Sequence, residues 1–278
     1  MNPLLIVLPF HNGDLTQAKN LLQWIYDIEL LSCPAKGVQR NIPLLLAADS
    51  KVPMEDCRTV GALARKTFKR VDSLVVTVEQ TDWRAPNSMF SAIASYVEGA
   101  YKFPFLWMEP DCTPLRAGWA EMLAAEYAQC PKRFMGPLIE CKDPELPALH
   151  MTGCSIYPPD AFDILKDHCN GSAKFAWDVD SAATVVKQGR ASDTKLIQHF
   201  YGTKDLAPTF VSQKVQGEEY PTNAMEVSFI KEEAVLFHRV KDGSLINILR
   251  KFKTEDAAAS GSQETTPENT QKPTTVRR

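Results

Sequence analysis

Two kinds of apolar pattern alternate along the first 110 residues of this chain. "LLIVLPF" (4–10) and "IPLLLAADS" (42–50) are nearly unbroken apolar runs that end on polar, turn-prone residues. Such runs predict strands buried on both faces, as in a parallel sheet. "SLVVTVEQ" (73–80) and "FPFLWMEPD" (103–111) repeat the pattern. Between them apolar residues recur at helical spacing. "DLTQAKNLLQWIYDIELL" places Leu15, Ala18, Leu22, Ile25 and Tyr26 on one face, with Asp14 positioned to cap its start. "MEDCRTVGALARKTFKR" and "SMFSAIASYVEGAYK" predict the helices before the third and fourth strands. The order β-α-β-α-β-α-β predicts an α/β fold, a mostly parallel sheet flanked by helices, with ligands bound beyond the carboxyl ends of the strands.

Past "AGWAEMLAAEYAQC", one more predicted helix, the pattern loosens. "RFMGPLIEC" and "ALHMTGCSIYP" predict strands, "DAFDILKDH" and "WDVDSAATVVKQG" short helices, and "EAVLFHRV" a late strand. From residue 254 the text "TEDAAASGSQETTPENTQKPTTVRR" has no aromatic and almost no aliphatic residue. The expectation is one domain over residues 1–253 and a disordered tail over 254–278.

Composition narrows the function classes. The chain has 278 residues, 44% hydrophobic and 23% charged, enough for a substantial core. A formal net charge of −3 gives no global pull toward nucleic acid or anionic membrane. The start "MNPLLIVLPFHNGD" has no basic segment before its apolar run, and no stretch reaches the roughly 18 apolar residues of a membrane span. The expectation is a soluble protein without a membrane span, located in the cytoplasm. Seven cysteines without a CxxC pair or zinc spacing predict reduced thiols.

Candidate chemistry gathers at the predicted strand ends. In an extended chain residues i and i+2 point the same way, so Glu109 and Asp111 present two carboxylates in parallel while Pro110 ends the strand. Hard oxygen ligands at that edge suit Mg2+ or Mn2+ with a diphosphate, or else merely solvate a strand end. "LPFHNGD" leaves Pro9, Phe10, His11 and Asp14 at the rim of the first strand, and Asp49 holds the same rim position in the second unit. An aromatic or imidazole ring there can stack on a base, and a carboxylate can accept from a ribose hydroxyl; Asp14 as helix cap is the alternative. "DWRAPNSMF" offers Arg84 to a phosphate and Asn87 to a sugar hydroxyl, while Asn87 as a helix cap stays open. Two basic clusters, "ARKTFKR" (64–70) and "LRKFK" (249–253), read as solvated helix faces unless they share one side of the molecule.

An apolar strand that ends in an acidic x-Asp motif after three βα units resembles the GT-A class of nucleotide-sugar-dependent glycosyltransferases, in which that position is the "DxD" metal motif. Here the motif reads Glu-Pro-Asp, so Asp111 inherits the metal role more safely than Glu109. The resemblance implies three later landmarks. "HMTGCSIYP" supplies Gly153 for a loop lining donor and acceptor, with a plain tight turn as the alternative. "FAWDVDSAATVV" supplies Asp178 and Asp180 as candidates for a catalytic base, or else as a helix cap and a first-turn acid. "AVLFHRVKDGSLI" supplies His238 as a third metal ligand, followed by Lys241 and Ser244, which can turn toward phosphates. The resemblance thus implies a hexosyl- or pentosyltransferase that uses Mn2+ or Mg2+, a nucleotide-sugar donor and a hydroxyl acceptor. "FLWMEPDCTPLRAGW" and "LFHRVKDGSLI" are also similar to segments of small bacteriophage and bacterial proteins, which adds 5-hydroxymethylpyrimidine DNA to glycan and protein as an acceptor, and the host cytoplasm as the location if phage-encoded. A nucleotidyltransferase has a similar sheet but a Gly-rich, basic loop after its first strand, where "PFHNGD" has one glycine and no base. A non-catalytic sugar- or partner-binding relative is the other alternative. A dinucleotide-binding dehydrogenase is disfavoured, because no GxGxxG occurs.

Overall fold

The computed structural model describes residues 4–32, 40–80, 82, 84–170, 173–201 and 207–261. Its first half alternates strands β1 (Leu5–Phe10), β2 (Leu44–Asp49), β3 (Val71–Val76) and β4 (Phe105–Trp107) with helices α1 (Leu15–Ser32), α2 (Met54–Ala64) and α3 (Ala85–Ala100). These strands pair in parallel in the order β3-β2-β1-β4, with Ile6 opposite Leu44 and Leu5 opposite Phe105. The chain steps outward from β1 to β3 and then crosses back to place β4 on the other side of β1. That reversal opens a crevice beyond the carboxyl ends of β1 and β4, where an open α/β sheet binds ligands.

The second half supplies β5 (Thr113–Pro114), α4 (Trp119–Gln129), β6 (Phe134–Gly136), β7 (Leu138–Glu140), β8 (Leu149–Met151) and β9 (Ile156–Tyr157). It continues through α5 (Ala161–Leu165), α6 (Trp177–Asp180), β10 (Ala191–Asp193), β11 (Ile197–His199), β12 (Thr209–Val211), β13 (Ala224–Glu226), β14 (Leu236–His238) and α7 (Ser244–Gly261). Strand β9 enters the main sheet antiparallel to β4, and β6 and β10 complete seven strands. A separate sheet of β11, β14 and β5 sets His199 opposite His238 in parallel register.

Strand periodicity divides the core into two layers. Leu4, Ile6, Leu8 and Phe10 face the side packed by Ala18, Leu22 and Ile25 of α1 and Trp119 of α4. Leu5 and Val7 point the other way, toward Phe90, Ile93 and Val97 of α3. Each fully buried aliphatic side chain contributes about 1.5–3 kcal/mol, so β1 anchors both layers.

Several local expectations change. The third strand is an edge strand, half-exposed at Val75, rather than one buried on both faces. Asp14 does not cap α1; it ends a 3-10 turn (Asn12–Asp14) that leads into the helix. Pro137, which offers no N–H to a ladder, splits "RFMGPLIEC" into β6 and β7 in different sheets. Helix α2 stops at Ala64, so "ARKTFKR" forms turns with Phe68 buried, while Arg65, Lys66, Lys69 and Arg70 are exposed. Helix α7 runs to Gly261, seven residues past the boundary expected at 254. No helix among the described residues is long and apolar enough to cross a membrane.

Candidate functional site

Strand β4 delivers two carboxylates to the crevice floor. Met108 N–H still bonds the Val7 carbonyl at 2.9 Å, and the Cys112 N–H then closes a turn onto the Glu109 carbonyl at 3.0 Å. Pro110 sits inside that turn, so the ladder ends and Glu109 and Asp111 leave the sheet on its open side. His238, at the end of β14, meets them: its Nε2 lies 3.2 Å from Glu109 Oε2 and 3.3 Å from Asp111 Oδ1. Asp111 Oδ1 is buried yet accepts no hydrogen bond.

Electrostatics make the trio interdependent. Burial opposes charge on His238, but Asp111, with Cys154 and Glu109, outweighs it and holds the pKa well above the ordinary value. Burial likewise opposes charge on Asp111, but His238 and Lys241 hold its carboxyl below the usual range. Behind His238, its Nδ1 lies 2.8 Å from Nδ1 of His199. Burial, with the positive charge of His238, pushes His199 down to about 2, so His199 is neutral. With His199 Nδ1 accepting, His238 keeps one proton on Nδ1; its Nε2, protonated beside the carboxylates, would give up that proton to a cation bound there.

This set fits a divalent cation. An orphaned, buried carboxylate oxygen, a second carboxylate and an imidazole fixed from behind are hard-to-borderline donors, as Mg2+ or Mn2+ requires. Cys112 also lies near Asp111 and His238, with ligand atoms within 4.8 Å of one another. Its sulfur, however, packs 3.4 Å from that of Cys154, and burial pushes the thiol pKa far up. A protonated, soft thiol is a poor partner for such an ion, so Asp111 and His238 are the core of the site; Glu109 touches His238 but does not share that 4.8 Å group, and it would have to close in to be the third ligand.

Asp178 faces the trio from α6. Asn87 braces the helix start: its Oδ1 accepts from Trp177 N at 2.8 Å and its Nδ2 donates to the Phe175 carbonyl at 3.0 Å. The Trp177 ring stacks on Phe90 at 4.7 Å, and its Nε1 donates to Tyr157 Oη at 3.2 Å, which in turn donates to the Gly153 carbonyl at 3.0 Å. That chain fixes Gly153 beside Asp178. A Cβ on Gly153 would stand 3.0 Å from Glu109 Oε1 and 3.3 Å from the Trp177 ring, with Asp178 Oδ2 at an ordinary 3.5 Å, so the close approach of Glu109 and Trp177, not a left-handed turn, explains the glycine. Burial, with repulsion from Glu109, raises the Asp178 carboxyl to about 6.

Two spaces meet at these acids. A cleft of about 650 Å³ is lined by Pro9, Phe10, His11, Asp14 and Asp49 from the ends of β1 and β2 and by Glu109, Asp111, Trp177, Asp178 and Lys241. A smaller chamber of about 260 Å³ shares Glu109, Asp111, Asp178 and Lys241 and adds Gly153, His150, His199, Tyr201 and Arg239. At the rim, His11 Nε2 lies 3.1 Å from Asp14 Oδ2, burial raises the Asp14 carboxyl, and Asp49 Oδ1 accepts from Lys51 N at 2.9 Å.

Four predicted residues are turned elsewhere. Arg84 is exposed and grips Asp82, with Nη2 2.6 Å from Oδ2. Asn87 is the brace of α6 rather than a sugar ligand. Ser244 Oγ accepts from Phe210 N at 2.7 Å. Asp180 Oδ2 sits 3.0 Å from His168 Nδ1, whose Nε2 reaches Thr184 Oγ1 at 2.9 Å. Trp83 lies outside the described residues. The basic clusters both abut α1: Lys66 contacts Gln23 and Arg250 pairs with Asp27 at 3.0 Å.

Sequence reasoning missed His199, His150, Trp177 and Arg239. His199 had a usable signal, since "LIQHF" is a short apolar strand ending on histidine as "VLFH" is. The others become visible only when the loops around Gly153 and α6 are folded onto β4.

The chain matches no protein-family model, and no curated protein is similar to it in sequence. Among solved structures it is similar to the bifunctional glycosyltransferase WbbM, with a TM-score of 0.50 at 10% identity over 85% of this chain and 45% of that one. It thus spans less than half the length of that structure. Mouse xyloside xylosyltransferase 1 gives a TM-score of 0.48 at 9% identity, over 72% of this chain and 88% of that one. A structure described as a glucose-1-phosphate thymidylyltransferase from Bacillus anthracis gives 0.44 at 12% identity, over 69% of this chain and 86% of that one. The fold of the chain is GT-A-like.

Proposed function

We propose that the protein is a glycosyltransferase that moves a sugar from a nucleotide-sugar to an acceptor hydroxyl with the help of Mn2+ or Mg2+. The observation that carries this reading is the meeting of Glu109, Asp111 and His238 at the junction of the two spaces, with Asp178 across from them. The larger cleft suits the donor: the exposed His11 ring and the Asp49 carboxylate offer contacts to a nucleoside, while the Phe10 ring is packed in the core, and Lys241 offers an ammonium to a diphosphate. Asp111, His238 and Glu109 would hold the cation, whose Lewis acidity offsets the negative charge of the departing nucleoside diphosphate.

Asp178 acts on the acceptor side. A half-buried carboxyl at about 6 is ionised at neutral pH and still basic enough to take a proton from a hydroxyl as that oxygen attacks the sugar. Gly153 leaves the room for the hydroxyl beside it, and the Asn87 and Trp177 contacts hold the carboxylate in place. Proton removal by Asp178 implies inversion at the sugar carbon. The acceptor hydroxyl belongs to a glycan, a protein or a 5-hydroxymethylpyrimidine of DNA.

Isothermal titration of wild type and Asp111→Ala with a panel of nucleotide-sugars, each with and without Mn2+, tests the reading. Mn2+-dependent binding that disappears in the variant supports it and identifies the donor. Binding indifferent to Mn2+ and to Asp111 would overturn it in favour of a binding module.

A further inference from the structure

The smaller chamber holds a cation that makes no direct ion pair among the described residues. Arg239 lines it, half-buried, and among the described residues its guanidinium makes no ion pair and no hydrogen bond. Arg70, Arg84, Arg133 and Arg250 each have a carboxylate partner. A partly desolvated guanidinium without one is unfavourable, and it is the natural counterpart of a carboxylate or phosphate, which it binds through two parallel N–H donors.

The backbone is set to aim this side chain. Consecutive residues of an extended chain point to opposite sides, yet His238 and Arg239 line the same chamber. Arg239 achieves this with a left-handed backbone, φ +85°, which L side chains adopt only at a cost. Hydrogen bonds on both sides hold it there: Phe200 N–H to the His238 carbonyl at 3.3 Å and Val240 N–H to the Asp111 carbonyl at 3.0 Å. His150 lines the same chamber, is buried at 6% exposed, and its Nδ1 has no partner among the described residues. A cation on a left-handed backbone and a buried imidazole nitrogen, both without a partner among the described residues, thus line the chamber that also contains Asp178.

We propose that the smaller chamber receives an acceptor carrying an acidic group, a carboxylate or a phosphate, bound by Arg239, with His150 Nδ1 meeting a neighbouring polar atom. The inference rests on the transferase reading, because it makes this chamber the place where the acceptor hydroxyl reaches Asp178. Glu109, Asp111 and Asp178 repel an anion elsewhere in the chamber, so the acidic group fixes which end of the acceptor points at Arg239.

The test uses three probes, glucose 6-phosphate, glucuronate and glucose, titrated while the ring signals of His150 and His199 are followed by NMR. Wild type should show saturable shifts with one or both charged probes at concentrations where glucose gives none. Arg239→Asn, whose short side chain tolerates the left-handed backbone, should weaken that binding at least tenfold, and Arg239→Lys should restore part of it. Equal responses to charged and neutral probes, or an unchanged response in Arg239→Asn, would overturn the proposal. In a parallel arm, UDP with Mg2+ should bind wild type and Arg239→Asn within twofold. A tenfold loss there would assign Arg239 to the donor's diphosphate and overturn the acceptor proposal. Failure of UDP and every other nucleotide to bind wild type would remove the transferase reading, while the probe titration still decides whether Arg239 binds an oxyanion.

Discussion

Two acid-x-acid segments approach the same cleft and behave in opposite ways. In Glu109-Pro110-Asp111, leaving a strand, both carboxylates enter the site; in Asp178-Val179-Asp180, on a helical turn, only Asp178 does. The spacing is identical and the local backbone differs. Strand β4 ends at Trp107, and the turn that Cys112 N–H closes onto the Glu109 carbonyl brings both carboxylates to His238, whereas two residues along a helix turn the side chain through about 200°. Asp180 therefore pairs with His168 on the far side of α6, at 3.0 Å, and becomes part of what anchors the helix. The lesson is that an i, i+2 acid pair indicates a two-carboxylate site only once the local backbone is known.

The largest expected effect separates the two aspartates of α6. Asp178→Asn should lower sugar transfer by about 10³-fold while donor affinity stays within twofold, the signature of a lost general base. In wild type the transfer rate should fall tenfold per pH unit below about 6, as Asp178 takes up a proton. Stability should move the other way. Burial raises the folded pKa of Asp178, so its contribution is complete below about pH 4 and is lost as pH rises through about 6. Asp178→Asn should therefore leave stability unchanged at pH 4 and increase it by about 2 kcal/mol or less at pH 7.5, measured by urea unfolding. A variant that loses transfer and stability together at pH 7.5 would show that Asp178 is a structural acid.

Gly153→Ala sharpens the comparison from the opposite wall. Its methyl group would press on Glu109 Oε1 and on the Trp177 ring beside Asp178, so transfer should drop by roughly 10-fold to 100-fold through misplacement of Glu109 and of the helix that carries Asp178. Unchanged steady-state kinetics would return Gly153 to a plain loop residue. The smallest effect is reserved for Asp180→Asn, which should leave transfer within about twofold and lower stability by about 1 kcal/mol through the weakened His168 contact. A thousandfold loss of transfer there would invert the assignment of the two aspartates.

The sequence was most legible where secondary structure alone fixes position. The runs that form β1 and β2 are long, fully buried and separated by amphipathic helices, so their order and the emergence of Glu109 and Asp111 at a shared rim follow from periodicity. His238 was reached only through the resemblance, which implies a late histidine after an apolar strand, and it does end the buried strand β14. Arg84, Asn87 and Ser244 were not legible, since a polar side chain at a helix start serves a cap, a brace or a ligand with the same composition. Asn87 shows why: its two hydrogen bonds go to Phe175 and Trp177, nearly ninety residues away, and no local pattern specifies them. The same holds for strands of two or three residues such as β9, whose antiparallel insertion beside β4 is a tertiary fact that propensity does not carry.

The central claim is that one cation links Glu109, Asp111 and His238 at the meeting of the two spaces, and Mn2+ binding measured by electron paramagnetic resonance tests it without any knowledge of donor or acceptor. Wild type and Asp180→Ala should each bind one Mn2+ with the same affinity, whereas Asp111→Ala and His238→Ala should weaken binding by about 100-fold or more. Equal Mn2+ affinity in wild type and Asp111→Ala would contradict the account.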